Sequence, residues 1–235
     1  MALVHCRPTK KLVDRGQITD RYSKAVEQLG NKENVSVRIG GLYALQRIAK
    51  DSKDDLPTII DVIRTFLIHP PYQKEWEKRD NPQEHLPNIR CPDVCIGIEI
   101  LKNLCPEETI KLHGAWWGAF NLSGINLSKL DLTLADLSDA NLNHATCNNS
   151  DLSNTHLLGA DLHYTRFIGS DLNTTRFDTN TKCDETDISD AKIGTNPYLK
   201  EDHTNKMIAS EGHIPHLPNG LSIGRIINEN QKSEK

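Results

Sequence analysis

The chain has 235 residues, a formal net charge of −4, 37% hydrophobic residues and six cysteines. That length can bury a core in one large or two modest domains. The mildly acidic balance argues against a protein whose task is to neutralise nucleic-acid phosphates or bind an anionic membrane face. The acidity is also local: residues 115–194 carry net −6, residues 1–114 carry +2 and residues 195–235 balance. No apolar run approaches the ~18 to 20 residues of a membrane helix, and the leader MALVHCRPTKK lacks the apolar core of a secretory signal. A cytoplasmic chain is expected. Its scattered thiols (Cys6, Cys91, Cys95, Cys105, Cys147, Cys183) suit a reducing compartment, and no disulfide is expected.

After the basic leader, Thr19 or Asp20 is placed to start a helix. Its residues Tyr22, Ala25, Val26 and Leu29 share one face, and Gly30 and Asn31 end it. A second helix is expected from about Ser36 to Lys50, with Ile39, Leu42, Leu45 and Ile48 on its apolar stripe. Gly40 and Gly41 inside it cost about 1 kcal/mol each relative to Ala, which points to close approach of a neighbouring helix. Asp55 followed by Pro57 opens a third helix with Leu56, Ile59, Ile60, Ile63 and Leu67 inward, stopped by Pro70 and Pro71. Residues 72–91, rich in charge and proline, read as a linker loop. Pro92 opens a further helix to about Leu104.

From Leu112 or Trp117 onwards a large apolar residue recurs every fifth position. The series is Trp117, Leu122, Leu127, Leu132, Leu137, Leu142, Cys147, Leu152, Leu157, Leu162, Phe167, Leu172 and Phe177. Lys182 would come next, and a shift of one residue restores the pattern at Cys183, Ile188 and Ile193, so a bulge or loosened corner is expected there. A period of five matches neither helix nor ordinary strand and marks a repeat architecture. A side chain that returns to the interior every five residues implies a corner every five residues. Four corners close a square coil, and coils stack at ~4.8 Å. The residue two before each centre must then be small, as Ala135, Ala140, Ala145, Ser150, Ala160 and Ser170 are; Phe120, Ile125 and Leu130 are large, so a wider or distorted first coil is expected. Cys147 in place of leucine is expected to weaken the column.

The stretch ADLSDANLN (135–143) resembles the pentapeptide-repeat family, which implies a right-handed quadrilateral parallel β-helix. The segments QITDRYSKAVEQLG, VRIGGLYALQRIAKDS and PDVCIGIEILKN are similar to the helical region preceding the repeat in a bacterial group of that family, and MIASEGHIPHLPNGLS to its closing segment. The expected fold class is multi-domain α+β, an N-terminal α-helical domain followed by this solenoid. The expected divisions are a basic leader (1–16), a small helical domain (17–71), a linker (72–91), a capping helix and junction (92–114), the solenoid (115–194) and a C-terminal cap and tail (195–235). Leu122, Leu127, Leu132, Leu137, Leu142, Cys147, Leu152, Leu157, Leu162, Phe167, Leu172, Phe177 and Ile188 form its expected core, and Trp116 and Trp117 are expected to be buried as an end cap.

Candidate chemistry is sparse. Cys91, Cys95 and Cys105 with His113 lack a second thiol pair at knuckle spacing and read as part-buried cysteines rather than a metal centre. His203, His213 and His216 have no regular partners. Asp131, Asp136, Asp151, Asp161 and Asp171 occupy one place in every pentad, which suits turn residues bonding the backbone and not an acid–base pair in two environments. No nucleophile elbow, phosphate loop or zinc-protease motif is present. The sequence therefore predicts a non-enzymatic scaffold or protein-interaction module without metal, cofactor or catalytic residues. The family resemblance and the acidic repeat offer a second reading, a DNA-mimicking inhibitor or protector of a type II topoisomerase such as gyrase. A membrane-associated adaptor, through the basic leader, is a third. The protein partner and the oligomeric state, monomer or homodimer, are left open.

Overall fold

The computed structural model describes residues 8–71, 89–194, 196–210, 212, 214, 215, 217 and 221–227. Three helices come first: α1 (Pro8–Leu29), α2 (Val35–Asp51) and α3 (Leu56–Ile68). Helix α1 begins well before Thr19, so half of the stretch read as a leader is helical. The Asn34 side chain caps α2 by accepting from the Ser36 and Val37 amides at 2.9 and 3.4 Å. The two glycines of α2 differ in role. A Cβ on Gly41 would sit 2.7 Å from the Ala25 carbonyl oxygen, so α1 crosses there at backbone contact, whereas one on Gly40 would meet nothing within 4 Å.

Residues 72–88 of the expected linker lie outside the described residues, but its end is not a loop. Ile89–Arg90 forms β1, which pairs in parallel with β3 (Phe120–Asn121). Helix α4 (Pro92–Leu104) follows at once and packs on α2 and α3, so it completes a four-helix unit. A buried ion pair, Arg38 Nε to Asp93 at 2.6 Å, ties α2 to α4; Arg38 also donates to the carbonyl of Asn31 at 3.0 Å.

Beyond α4 the backbone is a ladder of parallel bridges between residues twenty apart, such as Asn121 with Asn141 and Asn141 with Asp161. Twenty residues are four pentads, so four pentads make one coil. The strands β2 (Ile110–Lys111) and β4 (Leu130–Asp131) belong to the same ladder. Within most pentads the chain turns by a hydrogen bond from the residue three after the centre back to the centre's carbonyl, as from Ala135 to Leu132 at 2.9 Å. The third residue of that turn has positive φ, the requirement of a type II turn. Gly124, Gly159 and Gly169 meet it freely, but so do Leu134 (59°), Tyr164 (56°) and Thr174 (57°). Where Asp precedes a centre it holds the corner from outside: Oδ1 of Asp131, Asp136, Asp151, Asp161 and Asp171 each accepts the amide two residues on, at 2.9–3.2 Å.

Inside, the centres stack in four columns. Trp117, Leu137, Leu157 and Phe177 form one; Leu122, Leu142, Leu162 and Cys183 the second; Leu127, Cys147, Phe167 and Ile188 the third. Leu112, Leu132, Leu152, Leu172 and Ile193 form the fourth. All are buried. Burial pushes the Cys147 and Cys183 thiols up to about 12, so both stay neutral in the column. Phe120 and Leu130 are fully buried in the core shared with the helices, while Ile125 is half-buried.

The position two before each centre holds more than small residues. Thr155, Thr165, Thr175, Thr181 and Thr186 are buried there alongside the alanines. Each hydroxyl donates to the carbonyl of a central residue one coil earlier, as Thr165 does to Leu142 at 2.7 Å, and Ser150 and Ser170 do likewise. A buried hydroxyl is tolerated only with such a partner.

Bridges lengthen from twenty to twenty-one residues between His156–Arg176 and Asp161–Lys182, which locates the inserted residue in 177–181. The corner there is not loosened. Asp178 Oδ1 accepts from the Gly159 amide at 2.7 Å and from the Thr181 amide at 3.0 Å, and shares the single Thr181 hydroxyl proton, 2.9 Å away, with the Leu157 carbonyl. Burial pushes the Asp178 carboxyl up, but the Gly159 amide, the Thr181 hydroxyl and Asn180 together hold it below the usual carboxylate range. The C-terminal end is covered by α5 (Glu201–Thr204), β5 (Ile208–Ser210) and β6 (Arg225–Ile227). Strand β5 extends the ladder from Asp187 and pairs in parallel with β6. Most of LPNGL, together with His213 and His216, lies outside the described residues.

Candidate functional surface

Coil stacking turns residues twenty apart in sequence into neighbours, and this builds the outer faces. Over the Trp117 column the ladder runs Trp116, Asp136, His156, Arg176. Trp116 is 42% exposed, which corrects its assignment as a buried end cap. It precedes a centre, the outward place held in the next coils by Asp136, His156 and Arg176, so only Trp117 points inward. Leu158, 36% exposed, flanks Leu157 on the same side, and Leu134, 56% exposed, stands at its corner because its positive φ turns the side chain out. The guanidinium of Arg176 lies 5.5 Å from the ring centroid of Tyr198, itself 38% exposed. Four large apolar side chains are thus exposed along and beside one side of the ladder, spread over successive coils with Asp136 and Arg176 among them.

The other faces carry mainly polar side chains, with Tyr164, 43% exposed, as an exception. Over the Leu112 column Asp131, Asp151 and Asp171 stack, ended by Lys111 and Lys192. Over the Leu122 column His163 is clamped between Asp161 (Nδ1, 2.5 Å) and Asp184 (Nε2, 3.1 Å), and His144 stacks on Tyr164 with centroids 4.8 Å apart. Burial alone pushes the Asp161 carboxyl up, but its contacts with His163 and Lys182 hold it below the usual range.

The remaining candidates have structural partners. His203 is buried; its Nδ1 accepts from the Lys200 amide at 3.0 Å, so its Nε2 donates to the Asp178 carbonyl at 2.8 Å. His113 meets the Thr133 hydroxyl at 2.7 Å. Cys91 is buried at the start of α4 against the Asn121 carbonyl, 3.5 Å away, with Cys95 one turn on; Cys105 ends that helix. Among the described residues no three His, Cys, Asp or Glu side chains converge as a metal set would, and the five described cysteines are free thiols. The far end of the columns is lined by Leu172, Phe177, Ile188, Ile193, Leu199 and Met207, and by Asn196, whose amide already donates to the Leu172 and Thr175 carbonyls. No described helix is long and apolar enough to cross a membrane.

The helical unit docks on the first coil through complementary ends. The last carbonyls of α3 lack helical partners. That of Leu67 accepts from the Trp117 indole N–H at 2.7 Å, and that of Ile68 from the Trp116 amide at 3.2 Å. Lys102 of α4 reaches the Asn126 carbonyl at 2.7 Å.

A comparison with known protein families agrees with the five-residue repeat. The model of pentapeptide repeats matches residues 111–143 and 135–173, in eight copies. No curated protein sequence matches the chain. Among solved structures, a pentapeptide repeat protein from the Arabidopsis thaliana thylakoid lumen is 21% identical over 40% of this chain and 63% of its own, less than two thirds of that protein, with a TM-score of 0.35. One from Nostoc PCC 7120 is 20% identical over 60% of this chain and 98% of its own (TM-score 0.27). QnrB1, a plasmid-mediated fluoroquinolone resistance protein, is 14% identical over 52% of this chain and 59% of its own (TM-score 0.23). With its five-residue ladder matched by the family model, the segment 111–173 of this chain is built of pentapeptide repeats.

Proposed function

We propose that this protein is a non-enzymatic scaffold that binds a protein partner through the face over the Trp117 column. The observation that carries the reading is the exposure of Trp116, Leu158, Leu134 and Tyr198 together on and beside one side of the ladder. Aromatic side chains with an arginine between apolar neighbours are the composition of a binding hot spot. In this reading the solenoid is a right-handed quadrilateral coil whose columns, from Leu122 to Ile188, supply stiffness. The helical unit closes its first coil, the segment after residue 194 closes its last, and the protein works in the cytoplasm with reduced thiols. The test is capture from an extract of the native organism with purified wild type and with a Trp116→Ala, Leu158→Asp variant. Partners held by the wild type should be lost by the variant at unchanged circular dichroism. Equal capture would refute the assignment of this face.

The stacked Asp131, Asp151 and Asp171 favour a second reading, an inhibitor or protector of a type II topoisomerase by charge mimicry of DNA. Lys111 and Lys192 end that acidic column after three carboxylates, whereas duplex DNA presents one charge per ~1.7 Å of axis. Gyrase supercoiling unaffected by excess protein would remove this reading. A membrane-associated adaptor, the third, requires binding to anionic vesicles, and flotation with such vesicles tests it.

A further inference from the structure

The first turn of α4 holds two thiols that no binding role absorbs, at the joint between helices and solenoid. Cys91 is the N-cap residue; its φ of −127° and ψ of 57° lie outside the helix, and Cys95 follows one turn on, its amide donating to the Cys91 carbonyl at 3.1 Å. Side chains four apart on a helix are neighbours, with Cα atoms ~6 Å apart, inside the range that a disulfide spans. Each thiol is the neighbour that most strongly shifts the other's titration. Their environments differ. Cys91 is 2% exposed, with its sulfur 3.5 Å from the Asn121 carbonyl, while Cys95 is half-buried. The Cys91 contact lowers the Cys95 thiol below its ordinary value, and the same contact together with burial pushes Cys91 up. The proton of the pair therefore leaves first from the more accessible sulfur, the arrangement of an attacking and a resolving cysteine.

We infer that Cys91 and Cys95 are a peroxide-oxidisable dithiol whose closure loosens the joint between α4 and the first solenoid coil. The Cys95 thiolate attacks one oxygen of hydrogen peroxide; the O–O bond breaks, Cys95 becomes a sulfenic acid and the departing hydroxide takes up a proton as water. The Cys91 sulfur, giving up its proton, attacks the Cys95 sulfur; the S–S bond forms, the S–O bond breaks and a second water leaves. Two electrons pass from the two thiols to one peroxide.

Neighbouring side chains on a helix are ~5–6 Å apart at Cβ, and a disulfide needs ~3.5–4.5 Å, so closure requires movement. Cys91 supplies it, because its backbone is outside the helix, whereas Cys95 is inside it and the turn between them is pinned by the Arg38–Asp93 ion pair. Moving Cys91 breaks its contact with Asn121 and pulls on β1, whose Ile89 amide donates to the Ala119 carbonyl at 3.0 Å.

The test uses the full chain treated with hydrogen peroxide, with intact and peptide-level mass spectrometry and amide hydrogen exchange. The wild type should lose the mass of two hydrogens, with the bond mapped to Cys91 and Cys95. Iodoacetamide should alkylate Cys95 about tenfold faster than Cys105 in the reduced protein. The Ile89 and Arg90 amides should exchange about tenfold faster after oxidation. Cys91→Ser should stop at the sulfenic acid or beyond, Cys95→Ser should resist oxidation in this segment, and Cys105→Ser should behave as wild type. A disulfide elsewhere, oxidation of Cys95 to the sulfinic acid in the wild type, or bond formation with unchanged exchange at Ile89 would each overturn the inference.

Discussion

Thr165→Val tests whether the buried hydroxyls hold the coils together or merely fill space. The Thr165 side chain is fully buried and its hydroxyl donates to the Leu142 carbonyl at 2.7 Å; that carbonyl also accepts the Ala145 amide of its own turn at 2.8 Å. Valine has the same shape, so no cavity opens and the change isolates one inter-coil hydrogen bond. Net loss of a neutral hydrogen bond is about 1 kcal/mol. For a chain of this size that lowers Tm by about 2–4 °C. Thr165→Ala removes a buried methyl as well, adding roughly 0.8 kcal/mol. Thr146→Val is the control, since Thr146 precedes a centre and is only half-buried on an outer face. Thermal melts by circular dichroism should rank the variants wild type, Thr146→Val, Thr165→Val, Thr165→Ala from most to least stable, the first two nearly equal. A Tm for Thr165→Val at or above wild type would refute the bonded-hydroxyl reading.

The remaining predictions probe register, strain, charge and pH. Leu142→Lys places an ammonium in the fully buried second column and should abolish the folded melt, whereas Asn143→Lys, half-buried beside it, should shift Tm by less than about 2 °C; equal effects would mean the register is wrong. Leu134→Asn puts a residue tolerant of positive φ at an exposed corner and should raise stability by about 0.5–1 kcal/mol, read from denaturant melts; a loss would mean that Leu134 packs in the isolated chain. Arg38→Ala takes the guanidinium from a fully buried Asp93 and should cost about 3–5 kcal/mol, with much of the loss recovered in Arg38→Met, Asp93→Leu, as a double-mutant cycle would show. Asp178 and Asp161 are held below the usual carboxylate range, so their stabilisation is complete above the unfolded value near 4 and is lost as pH falls through the lower folded values. Tm measured from pH 6 downwards should fall accordingly. Asp178→Asn, which keeps an acceptor at Oδ1, should fall less steeply, and an identical slope would remove Asp178 from the explanation.

The columns are legible in the sequence because a buried centre must be apolar wherever it falls, and a five-residue interval admits no competing element. The hydroxyl ladder was hidden by reading the second inward position for size alone. Thr155, Thr165 and Thr175 are not small, and their recurrence every ten residues, alternating with alanine or serine, was the available signal. Trp116 shows the opposite error, hydrophobicity outweighing register; counting back from Leu122 places it outside. Strand β1 could not be read, because two residues in a charged, proline-rich stretch owe their conformation to Phe120 and Asn121, some thirty positions on. The exposed face depends on stacking. Trp116, Leu158 and Tyr198 are scattered through eighty residues and come to one side of the ladder only when four pentads make a coil.

A β-solenoid has two open ends, each a row of unpaired backbone groups, and an end without a cover is a template for association. At the first coil the cover is reciprocal. The solenoid's Trp117 indole and Trp116 amide fill the orphan carbonyls of α3, while β1 and Lys102 fill positions on the coil. Neither part satisfies its own terminus, and the buried residues of helices and columns form one continuous core. Helices and solenoid thus share a packed joint rather than meeting through a tether alone. Trp116 belongs to both of its working parts: its amide is bonded to α3 and its indole is exposed above Asp136. On the proposed reading, a partner that seats on that indole contacts the residue through which α3 is held, which would link binding at the face to stability of the helical joint.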